Sequence, residues 1–149
     1  MTYRKNEIAL VDTGFWYAVF DERDQHYKDA QDNIELLMDI TYILPWPILY
    51  ETLCTRFIRR DLYIRKFEKL LKRPNAFLLD DTNYKNQALE CTLASSRGRA
   101  RPFSLCDNVL RLIIDDVNVK LNYLFTFNVP DFSDVCSKRN ILIINSKNT

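Results

Sequence analysis

Five short apolar runs recur along the chain: Ile8-Ala9-Leu10-Val11, Tyr42-Ile43-Leu44, Ala76-Phe77-Leu78-Leu79, Tyr123-Leu124-Phe125-Thr126-Phe127 and Ile141-Leu142-Ile143-Ile144. Each is continuous rather than alternating, the pattern of a strand covered on both faces. Segments of helical period separate them, and this alternation implies crossover connections between parallel strands. The expected fold is α/β, a three-layer α/β/α sandwich around a mostly parallel five-stranded sheet. The clearest helix spans 104–120, where Cys106, Val109, Leu110, Ile113, Ile114 and Val117 form one apolar stripe. A second starts at Trp46-Pro47, since proline suits the first helical position, and continues through Leu49, Leu53 and Phe57 toward Arg60. Further helices are expected over 26–39, 62–72 and 82–96, and one starting around Gly14.

A chain of 149 residues fits one domain, 1–149, with no internal boundary or repeat. Its 21 basic and 20 acidic residues leave a net charge of +1, so any nucleic-acid affinity must come from local charge. With only two glycines there is no GxGxxG turn and no P-loop, which disfavours those nucleotide-binding folds. Cys54, Cys91, Cys106 and Cys136 stand singly, without zinc-site or disulfide spacing, and read as reduced, buried thiols. No apolar run is long enough for a signal peptide or a membrane span, which makes the expected location cytoplasmic.

Carboxylates mark one edge of this sheet. Asp12 follows the first run, at the carboxyl end of a strand, where open parallel sheets place their ligands; it is equally suited to cap the next helix. Glu51 lies one turn into the helix after the second run, in an otherwise largely apolar segment, where the helix dipole alone would also favour it. Asp107 stands three residues after Ser104, in a capping-box arrangement that also lets it reach the edge Asp12 occupies. Asn128 and Asp131 follow the fourth run. Each position has a structural explanation alone, but their convergence on one edge favours a shared site. Clustered carboxylates repel unless a cation neutralises them, and oxygen-only ligands favour Mg²⁺ or Mn²⁺ over zinc. Such ions orient a water, lower its pKa and stabilise a phosphate under attack, which is nuclease chemistry.

The segments Ile8-Ala9-Leu10-Val11-Asp12-Thr13, Leu49-Tyr50-Glu51, Ser104-Leu105-Cys106-Asp107 and Thr126-Phe127-Asn128-Val129-Pro130-Asp131-Phe132 resemble the successive motifs of PIN domains, in order and across nearly the whole chain. They are most similar to those of the small stand-alone VapC-like toxins, and Asp24, His26 and Ala30 resemble a segment often met there. The resemblance implies endonucleolytic cleavage of RNA with Mg²⁺ or Mn²⁺, and often a homodimer neutralised by an antitoxin protein. It places Asp12, Glu51, Asp107 and Asp131 on catalytic, metal-binding positions and Thr13, Ser104 and Asn128 on supporting polar ones. An aspartate is common where Asn128 stands; asparagine can ligate through its carbonyl but carries no charge, so the fourth site departs from the commonest pattern.

Arg97, Arg99 and Arg101, in the loop-like stretch 95–102, are the candidates for holding RNA phosphates. Arg56, Arg59, Arg60 and Arg65 fit either a phosphate-binding rim or a solvated helix face. The lone histidine, His26, reads as structural, and Trp16, Tyr17, Phe20, Trp46 and Tyr50 read mostly as core, with base stacking as the alternative. Beside the ribonuclease stand two other functions: a catalytically weak PIN-like module that binds RNA or protein, and a phosphohydrolase of small phosphate esters.

Overall fold

The structure, a computed structural model, describes residues 6–95 and 102–146. Among them five strands, β1 (Ile8–Val11), β2 (Thr41–Pro45), β3 (Ala76–Leu79), β4 (Tyr123–Phe125) and β5 (Leu142–Ile144), pair in parallel in the order β3-β2-β1-β4-β5. Eight helices connect and cover them: α1 (Thr13–Phe20), α2 (Tyr27–Asp39), α3 (Trp46–Thr52), α4 (Thr55–Ile58), α5 (Asp61–Leu71), α6 (Lys85–Ser95), α7 (Leu105–Asp115) and α8 (Val129–Lys138). Successive residues of a strand face opposite sides, so the full burial of Ala9, Leu10 and Val11 means that both faces of β1 are covered. The three-layer α/β/α sandwich expected from the apolar runs is the observed fold.

The strand order reverses direction at β1. From β1 the chain builds outward through β2 to β3, then crosses to β4 on the other side of β1. The crevice beyond the carboxyl ends of β1 and β4 is therefore the switch point of the sheet. Asp12 enters it directly, its backbone N–H extending the ladder to the Phe125 carbonyl at 3.0 Å.

Several expectations need correction. Edge strand β3 is not covered on both faces, since Phe77 and Leu78 are exposed. The helix expected from Trp46 to Arg60 is broken at Leu53 into α3 and α4. The cause comes from α1: the Tyr17 hydroxyl donates to the Glu51 carbonyl at 2.7 Å and takes an acceptor that would otherwise serve the helix ladder. α7 stops at Asp115 because Asp116 folds into an Asx turn, accepting from Asn118 N at 2.9 Å, which leaves Val117 in solvent instead of on the buried stripe. α6 starts at Lys85, later than expected, after Asp80 accepts from both the N–H and the hydroxyl of Thr82. Only Cys136 is a buried thiol; Cys54 and Cys106 are half-buried, and Cys91 is exposed on α6, whose one buried residue is Ala88.

Helix α8 was not foreseen. Pro130 in its first turn suits a helix start, and Asn140, in left-handed conformation with φ 55°, ends it by letting Ile141 N reach the Cys136 carbonyl at 2.9 Å. Trp16, Phe20, Phe57 and Phe67 interlock in the core with ring centroids between 5.3 and 5.8 Å apart. The core reading was right for Trp16 and Phe20, while Trp46 and Tyr50 are exposed. His26 lies flat on Phe127, centroids 4.1 Å apart and planes within 7°, as its structural reading expects.

Candidate active site

Asp12 is the hub of the crevice. It is both the N-cap of α1 and a side chain at the end of β1: Oδ1 accepts from Thr13 N at 2.8 Å and Oδ2 from the Thr126 hydroxyl at 2.9 Å. The cap weighed for Asp12 is present, and it leaves the side chain at the sheet end where a site was expected. Its residue surface is only 5% exposed. Burial pushes its carboxyl up from 3.8 to about 6; Thr126 and Thr13 counter this, and the charges of Asp107 and Glu51 add to it. A carboxylate so placed is destabilised by its surroundings when ionised.

Glu51 approaches from α3 and is exposed, its Oε1 accepting from the Thr13 hydroxyl at 3.3 Å. Asp107 comes from the first turn of α7, where its backbone N–H donates to Ser104 Oγ at 3.1 Å. Ser104 in turn donates to the Asp107 carboxylate, completing a reciprocal cap. Desolvation nevertheless holds the Asp107 carboxyl above its ordinary range, with the charges of Asp131 and Glu51 acting in the same direction. Of the two residues at the fourth position, Asp131 is buried and Asn128 exposed. The Asn128 backbone N–H donates to Thr126 Oγ1 at 3.0 Å, and no cap bond comes from its side chain. Around the end of β1, Asp12 at the cap of α1 feels the charges of Glu51 on α3 and Asp107 on α7, and Asp107 feels those of Glu51 and Asp131 on α8, while Asn128 faces solvent.

Three contributors escaped the sequence reading. Thr126 is fully buried and joins Asp12 to the turn leading into α8; its signal was a hydroxyl inside an otherwise apolar strand run. Cys106 hydrogen-bonds Glu51, and burial with that contact raises its thiol well above the usual range, so it stays neutral. Arg111, one turn after Asp107, grips Asp134 with two bonds of 2.8 and 2.7 Å and donates to the Asp131 carbonyl at 2.7 Å. It also lies over the Phe103 ring at 4.4 Å. Arg97, Arg99 and Arg101 lie outside the described residues.

The chain resembles VapC20 of Mycobacterium tuberculosis, described as a sarcin-ricin loop cleaving toxin, with a TM-score of 0.63 at 19% identity over 85% of this chain and 93% of that one. It also resembles VapBC2 of Rickettsia felis, solved bound to a DNA fragment from their promoter, with a TM-score of 0.59 at 14% identity over 91% and 96%. The chain has the VapC-type PIN fold. At the level of sequence, no protein-family model and no curated protein matches.

In this PIN fold the acidic donors are all oxygen, the chemistry that suits a hard divalent cation. Among the described residues, no three His, Cys, Asp or Glu side chains are gathered into a ready-made ligand set. Burial raises the Asp12 and Asp107 carboxyls, with smaller contributions from the neighbouring acidic charges, and a bound cation would relieve that cost of holding them ionised. On donor chemistry and electrostatics, Asp12, Glu51, Asp107 and Asp131 fit such an ion.

Proposed function

We propose that this chain is a single-domain, divalent-metal-dependent endoribonuclease that hydrolyses RNA phosphodiester bonds, the toxin of a toxin–antitoxin pair. The observation that carries the reading is Asp12, a carboxylate held 5% exposed at the switch point of the sheet with Asp107 and Glu51 bearing on its charge. Purely structural capping does not need three acids around one cap. The likeness in fold to a sarcin-ricin loop cleaving toxin supports the same reaction class.

Asp12, Glu51, Asp107 and Asp131 would hold Mg²⁺ or Mn²⁺, which supplies charge neutralisation and an acidified water. The chain's own residues do the positioning. Thr126 and Thr13 N–H fix both oxygens of Asp12. The Thr13 hydroxyl orients Glu51, and Ser104 orients Asp107. Arg111, tied to Asp134 and to the Asp131 carbonyl, sets the start of α8 against α7 and so places Asp131. Likeness to VapBC2 supports an antitoxin protein as partner, and a homodimer and a cytoplasmic location belong to the same reading. No described helix is long and apolar enough to cross a membrane.

The deciding experiment incubates purified wild type and Asp12→Asn with total RNA in Mg²⁺, Mn²⁺ or chelator. Cleavage by wild type alone, abolished by chelator, is expected; retained cleavage in both Asp12→Asn and Asp107→Asn overturns the reading. The exposure and missing charge of Asn128 favour a second reading, a PIN-like module that binds RNA or protein without cutting. It predicts binding and no cleavage even in Mn²⁺.

A further inference from the structure

A cavity of about 220 Å³ opens between α1, α4 and the start of α5, apart from the carboxylates but one residue away from the Glu51 backbone. Tyr17 connects the two. It lines the cavity, and its hydroxyl donates to the Glu51 carbonyl at 2.7 Å while touching Cys54 Sγ at 3.4 Å. Three arginines, Arg23, Arg56 and Arg60, line it against two acids, Asp21 and Asp24. Both acids are already engaged: Asp21 with Arg23 at 3.4 Å, Asp24 with His26 N at 2.8 Å. Among the described residues, Arg56 and Arg60 have no carboxylate within ion-pair distance. The Arg60 guanidinium lies 4.8 Å from the Tyr63 ring centre, a flat cation on a half-exposed aromatic. A second hollow shares Asp21, Arg23, Arg60 and Tyr63 and continues to Gln31 and Lys66, adding one cation, Lys66, and one acid, Glu22, along the path.

Guanidinium groups without carboxylate partners, together with two tyrosine rings, form a receptor for something flat and anionic. From this juxtaposition we infer that the Tyr17–Arg56–Arg60–Tyr63 cavity is a subsite for one unpaired nucleotide of the RNA, its base among the rings and its phosphate on Arg56. The inference rests on the ribonuclease reading and adds to it where the strand runs: from the carboxylates past Tyr17 and along the hollow toward Lys66. Specificity would then come partly from this cavity, one base away from the cut.

The test does not require cleavage. Adenosine 5′-monophosphate, adenosine, inorganic phosphate and a polyglutamate peptide are each titrated into the protein in chelator, followed by NMR or intrinsic fluorescence. The nucleotide is expected to bind at least about tenfold tighter than adenosine or phosphate, because charged hydrogen bonds and stacking each contribute on that scale. Arg56→Ala and Tyr63→Ala each weaken it by at least about tenfold, Arg56→Lys and Tyr63→Phe retain most of it, and Asp12→Asn leaves it unchanged. Arg56 is exposed, so its variant tests the site without disturbing the core. Binding no tighter than phosphate, or insensitive to Arg56→Ala, overturns the assignment. So does preference for polyglutamate, which marks a protein-docking groove instead. Nucleotide binding without RNA cleavage would sink the ribonuclease reading alone, and cleavage without nucleotide binding would sink the subsite alone.

Discussion

Asp12 and Glu51 face the same crevice but are held in opposite ways. Asp12 is buried, with one oxygen fixed by a backbone N–H and the other by the hydroxyl of Thr126, just past the neighbouring strand β4. Glu51 is exposed and meets Thr13 at a long 3.3 Å. Its backbone is the better anchored part, since the Tyr17 hydroxyl takes its carbonyl and breaks the helix just beyond it. Asp12 is fixed by two hydrogen bonds and disfavoured as a charge by burial; Glu51 is exposed and held by one long bond. If the crevice holds a cation as proposed, Asp12 would supply the fixed oxygens and Glu51 the carboxylate free to close on it.

Breaking the strained side should give the largest effects. Asp12→Asn is expected to lower RNA cleavage by at least about a hundredfold, since a neutral amide cannot supply the charge that the proposed cation would need; cleavage rates in Mn²⁺ measure this. The same change should stabilise the metal-free protein. The Asp12 carboxyl is raised in the folded state, from 3.8 to about 6, so its contribution is most favourable below about pH 4 and is lost as pH rises through 6. Above that the buried charge costs on the order of 3 kcal/mol. In chelator at pH 8, Asp12→Asn should therefore melt higher than wild type, by roughly 5 °C or more, and the gap should close near pH 4. Divalent ion should raise the melting temperature of wild type and not of the variant. A variant that melts lower at pH 8 would show that Asp12 is not strained.

This asymmetry was only half visible in the sequence. The apolar runs announced the parallel sheet because strands covered on both faces cannot alternate, and strand-end position alone brought out Asp12. Ser104 and Asp107 were legible because a cap has fixed local spacing. The Asp12–Thr126 bond joins residues 114 positions apart and depends on β1 and β4 being neighbours, which no local pattern contains. The grip of Arg111 on Asp134 crosses from α7 to α8, a stretch to which no element was assigned from the sequence. The break at Leu53 was hidden for the same reason, since Tyr17 causes it from a distance. The burial of Asp131 and the exposure of Asn128 are likewise properties of the folded state that no local pattern contains.

Intermediate effects should come from the groups that hold the fixed acid and its neighbour. Thr126→Val keeps the shape of the side chain and removes its hydroxyl, leaving one oxygen of Asp12 and the Asn128 N–H without their partner. A loss of about 1 to 2 kcal/mol at pH 8 is expected, smaller at pH 4 where a protonated Asp12 needs less support. Denaturant unfolding at both pH values checks it. Arg111→Met retains bulk over Phe103 but releases Asp134 and the Asp131 carbonyl. Cleavage should fall several-fold, with a rise in the Mn²⁺ concentration for half-maximal rate, because the start of α8 is no longer positioned.

The smallest stability effect belongs to Glu51. Glu51→Gln keeps the size and an oxygen for the Thr13 hydroxyl, and the side chain is exposed, so unfolding free energy should stay within about 0.5 kcal/mol of wild type at any pH between 4 and 8. Activity should still drop, and the decoupling is the point: loss of cleavage without a change in stability is the signature of an adjustable ligand, as loss with a gain in stability is the signature of the strained one. If Glu51→Gln stabilised the metal-free protein as much as Asp12→Asn, both acids would be equally strained and the site would have no fixed side. If it left cleavage intact, Glu51 would be only the acid that orients Cys106 and Thr13, and the cation would have to be held by Asp12, Asp107 and Asp131.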